Sequence, residues 1–397
     1  AGVNVLIDKF LPRRDWLNQL KWRGSWSVVG NPIPNTLFAR QSYDFSNGTI
    51  STRPPLFDDP QPETTTSFET GLDVWMFENK FNFDLTYYNS TLRNQFLYVT
   101  TANGESKPVN TGKIRNYGLE FQASYRWNIN KDWRWQTGFN IAWNDNRILE
   151  TYKTESGAPY EVQMGPNAFK IKYVEGGRYG DIYVNSFARD ENGHIKINDA
   201  GNYENAVPVM ASGKYETKVG NMTSPVTLGW NNTFTWKNFT LYFLIDGRIG
   251  GKVMSLTEAD LDLYGLSERS AQDRLNGERV MQNGKEYILK PLPDGSGNKV
   301  SVENYYTTIG ALPMEDHVYN ATSLRMRDIS LSYDMPNLFG KNQGMTAQFS
   351  VKNAFFIYKD SPVDPDISVS AANGYSGIDC YSLPTTRSFA LTLKFNF

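Results

Sequence analysis

The sequence predicts an all-β protein, a transmembrane antiparallel up-and-down β-barrel with long extracellular loops, and three observations lead there. Apolar and polar residues alternate with the period of two shown by a strand with unlike faces. In WRWQTGFNIAW, Trp133, Trp135, Thr137, Phe139, Ile141 and Trp143 fall on one side, and Arg134, Gln136, Gly138, Asn140 and Ala142 on the other. The connections between such runs alternate strictly between short and long. The composition is aromatic-rich and hydrophilic at once, with 23 Tyr, 23 Phe and 10 Trp at a mean hydropathy of -0.51. A soluble sandwich shares the first feature but has no reason to sort its loops. An outer-membrane barrel has short periplasmic turns, long extracellular loops, and strands that are apolar outside and polar within.

Ten strands follow in order. In the first, 18–29, LKWRGSWSV sets Leu20, Trp22, Trp26 and Val28 against Lys21, Arg23, Ser25 and Ser27. Strands 67–78 and 81–97 flank the turn Asn79-Lys80, and FNFDLTYYN opposes Phe81, Phe83, Leu85 and Tyr87 to Asn82, Asp84, Thr86 and Tyr88. Strands 113–127 and 132–146 flank NINK, strands 223–235 and 239–250 flank Trp236-Lys237-Asn238, and strands 321–335 and 344–357 flank the stretch from Pro336 to Gln343. The last, 386–397, alternates Phe389, Leu391, Leu393, Phe395 and Phe397 with small or polar residues. An up-and-down meander then puts every short turn at one end of the sheet, and the long connections 30–66, 98–112, 147–222, 251–320 and 358–385 at the other.

The apolar stripe of each strand is expected to face lipid, where backbone groups are satisfied only in a sheet that closes. Trp22, Trp127, Trp133, Trp135 and Trp236 are expected near strand ends, in the headgroup girdle. Inside the long loops, 169–198 carries β-branched and aromatic runs around a DENG turn, read as strands projecting beyond the membrane. Residues 256–276 have the composition of a short extracellular helix or two. The stretch PLPDGSGNK at 291–299 is a hairpin turn; its GxG lacks the strand-to-helix context of a phosphate cradle.

Other classes are excluded or disfavoured. With 40 basic and 42 acidic residues, bulk electrostatics gives no reason to expect nucleic acid. No window approaches the ~20 apolar residues of a spanning helix. The start AGVNVLIDKF has neither an initiator Met nor a signal peptide, which is read as a mature product or a piece of one. Cys380 has no disulfide partner, and His194 and His317 are too far apart for a local metal motif, so both are read as ordinary loop residues and no cofactor or metal is expected. The acidic stretch DSPVDPD, with Asp360, Asp364 and Asp366, lacks a calcium-loop spacing and is read as a turn with Asp caps.

Several stretches carry a resemblance to a known family. WLNQLKWRGSWSVVGNP, ETTTSFETGLDVWMFENKFNFDLTYYNSTLRNQF, NTGKIRNYGLEFQ, SPVTLGWNNTFTWKNFTLYFLIDGRIGG, ATSLRMRDISLSYDMP, VKNAFFIYKDSPVDPDIS and YSLPTTRSFALTLKFNF resemble, in order, segments of the SusC/RagA-like TonB-dependent outer-membrane transporters. Asp366 stands where that family usually has Glu. The resemblance implies a plugged barrel of roughly 22 strands, of which this chain resembles the C-terminal portion, about ten strands within one barrel domain. It therefore implies an N-terminal polypeptide carrying the plug and the remaining strands.

The same resemblance implies TonB-driven import of oligosaccharides or peptides across the outer membrane of a Gram-negative bacterium, with extracellular loops, a periplasmic C-terminus and a SusD-like surface lipoprotein as lid. The expected lumen lining includes Arg23, Asp84, Glu120, Gln122, Arg134 and Asn140. Tyr305, Tyr306, Tyr375 and Tyr381, in the long loops, are candidate contacts to ligand or lid, or alternatively anchors of the loops themselves. Two further readings are an outer-membrane hydrolase, which would need His194 or His317 beside a carboxylate or Ser, and a soluble carbohydrate-binding sandwich.

Overall fold

A computed structural model describes residues 1–396 apart from 33–41, 47–48, 54–60, 101–105, 154–156, 159–160, 165–168, 312–314, 342 and 369–376. The predicted positions Tyr375 and Phe397 lie outside the described residues. The main sheet has eleven strands, each hydrogen-bonded to the next in chain order. They are β1 (Gly2–Leu6), β2 (Leu17–Asn31), β3 (Glu63–Met76), β4 (Phe81–Arg93), β5 (Lys113–Asn128), β6 (Trp133–Glu150), β7 (Val226–Trp236), β8 (Phe239–Ile249), β9 (Ser323–Gly340), β10 (Gln343–Lys359) and β11 (Ser388–Asn396). All neighbours are antiparallel, which is the predicted meander.

Every predicted strand is present, and β1 is an addition. It pairs with β2 from Gly2↔Ser25 to Leu6↔Lys21, and its short length leaves too few residues for a period to be read. Four strand ends also differ from expectation by four residues or more, two of them the start of β3 at Glu63 and the end of β9 at Gly340. β4 stops at Arg93 because Phe96–Thr100 leaves the wall to pair with Ser106–Asn110. β6 runs on to Glu150, still paired with Lys113 of β5.

Register turns the alternation into two faces, because residues directly opposite in an antiparallel pair point the same way. One row reads Trp127, Trp135, Phe234, Leu241, Leu331, Phe349 and Leu391 from β5 to β11. A row of the other face reads Lys21, Asp73, Asp84, Gln122, Asn140, Gly229, Asp246 and Arg325 from β2 to β9. The apolar face is uncovered: Leu391 is 71% exposed and Phe389 64%. Among the described residues no second layer packs on it, which contradicts the sandwich reading.

Near the turns at 129–132 and 237–238 the apolar face becomes aromatic. Trp133 stacks on Trp236 at 5.6 Å, Trp236 on Phe239 at 6.0 Å, and Phe239 lies 4.5 Å from Tyr333. Trp127 and Trp135, 6.4 Å from each other, lie toward the same end. Trp22 departs from this expectation: it lies inside β2 and donates its indole N–H to Thr70 Oγ1 at 2.9 Å.

The core of the chain lies in the long connections rather than in the wall. Phe169, Ile171, Ile182, Val184, Met254 and Ile378 pack with Ile114 and Ile148 at the ends of β5 and β6. The strands expected to extend the wall through 169–198 instead form a separate sheet of Val162–Met164, Lys170–Tyr173, Asp181–Val184 and Thr217–Asn221. A second core gathers Phe187, Ile195, Leu292, Val300 and Ile309. The predicted helical stretch forms two helices, α1 (Leu256–Leu263) and α2 (Glu268–Asn276), whose caps Ser255 and Ser267 accept from the N–H groups of Glu258 and Ser270. The PLPDGSGNK turn closes a hairpin, with Leu292 N donating to Asn298 O at 2.8 Å and Gly295 and Gly297 at positive φ.

Candidate functional site

The polar face supplies the first part of the site. Lys21 pairs with Asp73 at 2.7 Å, and Arg23 forks onto Asp84 and reaches Thr86. Glu120, Gln122, Arg134 and Asn140 share this face by register, so all six expected lining residues fall on it. At the short-turn end it opens into a cleft of about 760 Å³ lined by Arg126, Asn130, Lys131, Arg134, Gln136 and Thr233. Among the described residues, none of those three cations has a carboxylate partner.

At the opposite end an arginine cluster anchors the last long connection. Arg325 holds Asp364 at 3.1 Å and also bonds Asp366; Arg327 holds Asp366 at 2.8 Å and reaches Asp246 through Nε at 2.8 Å. Arg248 bonds Asp366 and donates to the carbonyl of Pro365 at 3.3 Å. Burial raises the Asp366 carboxyl, and the guanidiniums of Arg248, Arg327 and Arg325 outweigh it, holding the group below the ordinary aspartate range. The Asp cap expected in DSPVDPD exists, as Asp364 Oδ1 accepts from Asp366 N at 2.9 Å. The larger role of Asp364 and Asp366 is to meet arginines of β8 and β9, a pairing beyond the reach of local spacing.

The 251–320 connection forms a small helical cap. Tyr305 and Tyr306 lie on α3 (Val302–Ala311), a helix the sequence reading did not assign, and each is 3% exposed. Their rings meet edge to face at 5.3 Å, and Lys290 Nζ lies 4.0 Å from the Tyr305 ring. The hydroxyl of Tyr306 donates to Asp273 at 2.6 Å, and that of Tyr305 to Asp316. Burial, reinforced by these carboxylates, pushes both phenols well above the ordinary tyrosine range. In this arrangement both side chains anchor the cap. A signal was present: Val302, Tyr305, Tyr306 and Ile309 follow the i, i+3, i+4, i+7 stripe of a buried helix face. Tyr381 is 63% exposed, with its N–H donating to Thr257 Oγ1 at 2.8 Å.

His317 is not the ordinary loop residue expected. It is fully buried, with Nε2 2.8 Å from Asp262, which also accepts from Ser267 at 2.6 Å and from Arg269. Ser267 and His317 both bond the same carboxylate rather than each other, so they do not form a nucleophile–base pair. Burial raises the Asp262 carboxyl, and hydrogen bonds from His317, Arg269 and Ser267 override it, so the group stays below the ordinary aspartate range. His194 directly follows the DENG turn, 3.8 Å from Asp190.

Beside this cluster a cleft of about 390 Å³ opens between α1, α3 and the hairpin of Glu278–Gln282 and Lys285–Pro291. Tyr306 forms part of its wall, together with Tyr264, Arg274, Lys285, Tyr287 and Glu303.

A family model described as TonB dependent receptor-like, beta-barrel matches residues 8–354. The chain belongs to that family. The family is one of outer-membrane barrels, so the apolar face meets lipid and the polar face lines the lumen. The chain is 23% identical over 435 residues to TonB-dependent receptor P3 of Formosa agariphila, covering 99% of this chain and 41% of that protein. It is 24% identical over 428 residues to TonB-dependent receptor SusC of Bacteroides thetaiotaomicron, covering 100% and 39%. It superposes on a solved structure of the RagAB peptide transporter with a TM-score of 0.70 at 17% identity, covering 100% of this chain and 43% of that one. The chain is thus similar to SusC in sequence and to the RagAB transporter in fold, and it spans about two fifths of the length of these relatives.

Proposed function

We propose that this chain is the C-terminal part of the wall and mouth of an importer that takes up oligosaccharides or peptides, driven from the inner membrane by TonB. The observation that carries the proposal is the pairing of a lipid-type face with an ion-paired polar face on one sheet whose long connections all leave from one end. Such a wall encloses water and orients its cap to one side, and the family match supplies the energy source.

In this reading the cap is extracellular and β11 ends toward the periplasm. An N-terminal polypeptide supplies the plug and the other strands; the outer edges of β1 and β11 pair with no further strand among the described residues. Arg126, Lys131 and Arg134, which have no carboxylate partner among the described residues, would face that plug. The likeness to SusC and to the RagAB transporter supports a surface lipoprotein seated over the cap, where exposed Tyr381 remains a candidate contact. The hydrolase reading draws nothing from Ser267, His317 and Asp262, which are buried and joined through the carboxylate.

The test is uptake of defined oligosaccharides and peptides by cells carrying the full-length protein, with and without a functional TonB complex. Uptake of one cargo class that vanishes without TonB is expected. Uptake that persists unchanged without TonB would overturn the import mechanism.

A further inference from the structure

The 390 Å³ cleft in the cap is within the size range of small-ligand sites, and its charges are incompletely matched. Its floor is fixed. Tyr287 and Val302 are buried, and the Tyr306 hydroxyl is tied to Asp273 at 2.6 Å. Asp262, at its inner end, is consumed by Arg269, Ser267 and His317.

The rim differs from the floor. Among the described residues the Arg274 guanidinium makes only a 3.3 Å bond to Ser270 Oγ, and Lys285 lies 5.0 Å from the face of Tyr287. Among the described residues, neither has a carboxylate within ion-pair distance. Glu286, beside Lys285, is already paired with Arg279 at 3.0 Å. Gly265 lies at φ +65, and a side-chain carbon there would meet Arg274 Nη1 at 2.9 Å, so the glycine in the turn between α1 and α2 leaves the guanidinium its room. Tyr264 is 73% exposed and so presents a free ring face at the same rim. Glu303, a lining acid with no ion-pair partner among the described residues, belongs to α3, whereas the two cations come from α2 and the hairpin.

We infer that this cleft binds the carboxylate-bearing end of an oligomer, its acid group between Arg274 and Lys285 and its ring or apolar body against Tyr264. A guanidinium matches a carboxylate with two parallel hydrogen bonds, an ammonium adds a point charge, and an aromatic face suits either a sugar ring or an apolar side chain. Glu303 sets the polarity by disfavouring a second acid on the α3 side. Two sources share this chemistry: the free C-terminus of a peptide and a uronic acid of an acidic oligosaccharide. The inference deepens the import reading and rests on it for the origin of the ligand.

The experiment is a binding titration on the full-length protein, purified in detergent with its native partner chains. One arm uses a short peptide ending in an aromatic residue with a free carboxylate, against the same peptide amidated. The other uses a short uronic-acid oligosaccharide against its neutral counterpart. In one arm the acidic probe binds at least tenfold tighter than the neutral one, and that arm names the source. The double variant Arg274→Gln/Lys285→Gln loses at least tenfold for that probe, while Lys299→Gln, on the neighbouring strand, does not. Equal binding of acidic and neutral probes in both arms, unchanged binding by the double variant, or no binding of any probe at millimolar concentration would overturn the site. TonB-dependent uptake that survives such a result leaves the import reading standing, and carboxylate binding without TonB-dependent uptake does the reverse.

Discussion

The wall and the cap obey opposite rules within one chain. Across the wall large apolar side chains are exposed: Leu391, Phe389, Leu331 and Phe349 stand on an uncovered face. In the long connections such side chains build buried cores, where Phe169, Ile171, Ile182 and Ile309 are at most 1% exposed. Polar groups invert in the same way. The wall keeps its ion pairs, such as Lys21–Asp73, on the wet side, whereas the cap buries Asp262 and His317 completely. The difference teaches that the solvent on each side of the sheet, lipid outside and water within, decides what a hydrophobic stripe means. The same period of two that would make a core in water makes a lipid contact here.

Substitutions that move one region's rule into the other test this contrast, and the largest effect is expected in the cap. Asp262→Ala strands Arg269 and a buried His317 without their carboxylate, with an expected loss of about 3–5 kcal/mol in cap stability. Hydrogen exchange in the full-length protein should show α1, α2 and α3 opening while β7 and β8 stay protected. Opening of wall and cap together would mean that the two are one cooperative unit.

Next comes a charge on the lipid face. Phe243→Arg, on the same face near the middle of β8, is expected to destabilise the barrel by about 2–4 kcal/mol in bilayers. Gln122→Arg, on the polar face, should fall within about 0.5 kcal/mol. Equal effects in a lipid-refolding titration would break the assignment of faces.

A smaller effect is expected at the aromatic rim. Trp236→Ala removes stacking on Trp133 and Phe239 and should cost about 1 kcal/mol in the same titration.

The smallest effect near neutrality is that of pH. The Asp262 carboxyl is held below its ordinary value in the folded cap, so its contribution is fully present above the unfolded pKa of about 3.9 and is lost only as pH falls through the lower folded value. Exchange rates in the cap should therefore be insensitive to Asp262 between pH 5 and 8, about one to four units above that pKa, and rise below about pH 4. In Asp262→Asn the acid-induced rise should shrink.

Legibility followed the same division. The wall was readable because each strand states its two faces locally, and the ten expected runs correspond to β2 through β11. In the candidate site, the lumen residues Arg23, Asp84 and Gln122 were readable for the same reason. The roles of Tyr305 and Tyr306 were not read, although Val302, Tyr305, Tyr306 and Ile309 spelled a helix face. A tyrosine in a long loop reads equally well as contact or anchor until its hydroxyl is seen to meet Asp316 or Asp273.

By itself the sequence determined the strand periods, the sorting of short and long connections, the α1–α2 stretch and the hairpin turn at 291–299, all properties set within a few residues of chain. Only the tertiary structure decided that Met254 pairs in parallel with Ile378, that His317 meets Asp262 across 55 residues, and that Arg325 seats Asp364. The physical reason is range. Periodicity is enforced by backbone geometry at each position, whereas partner choice between distant loops depends on which contacts repay the entropy of closing them, and no local pattern records that outcome.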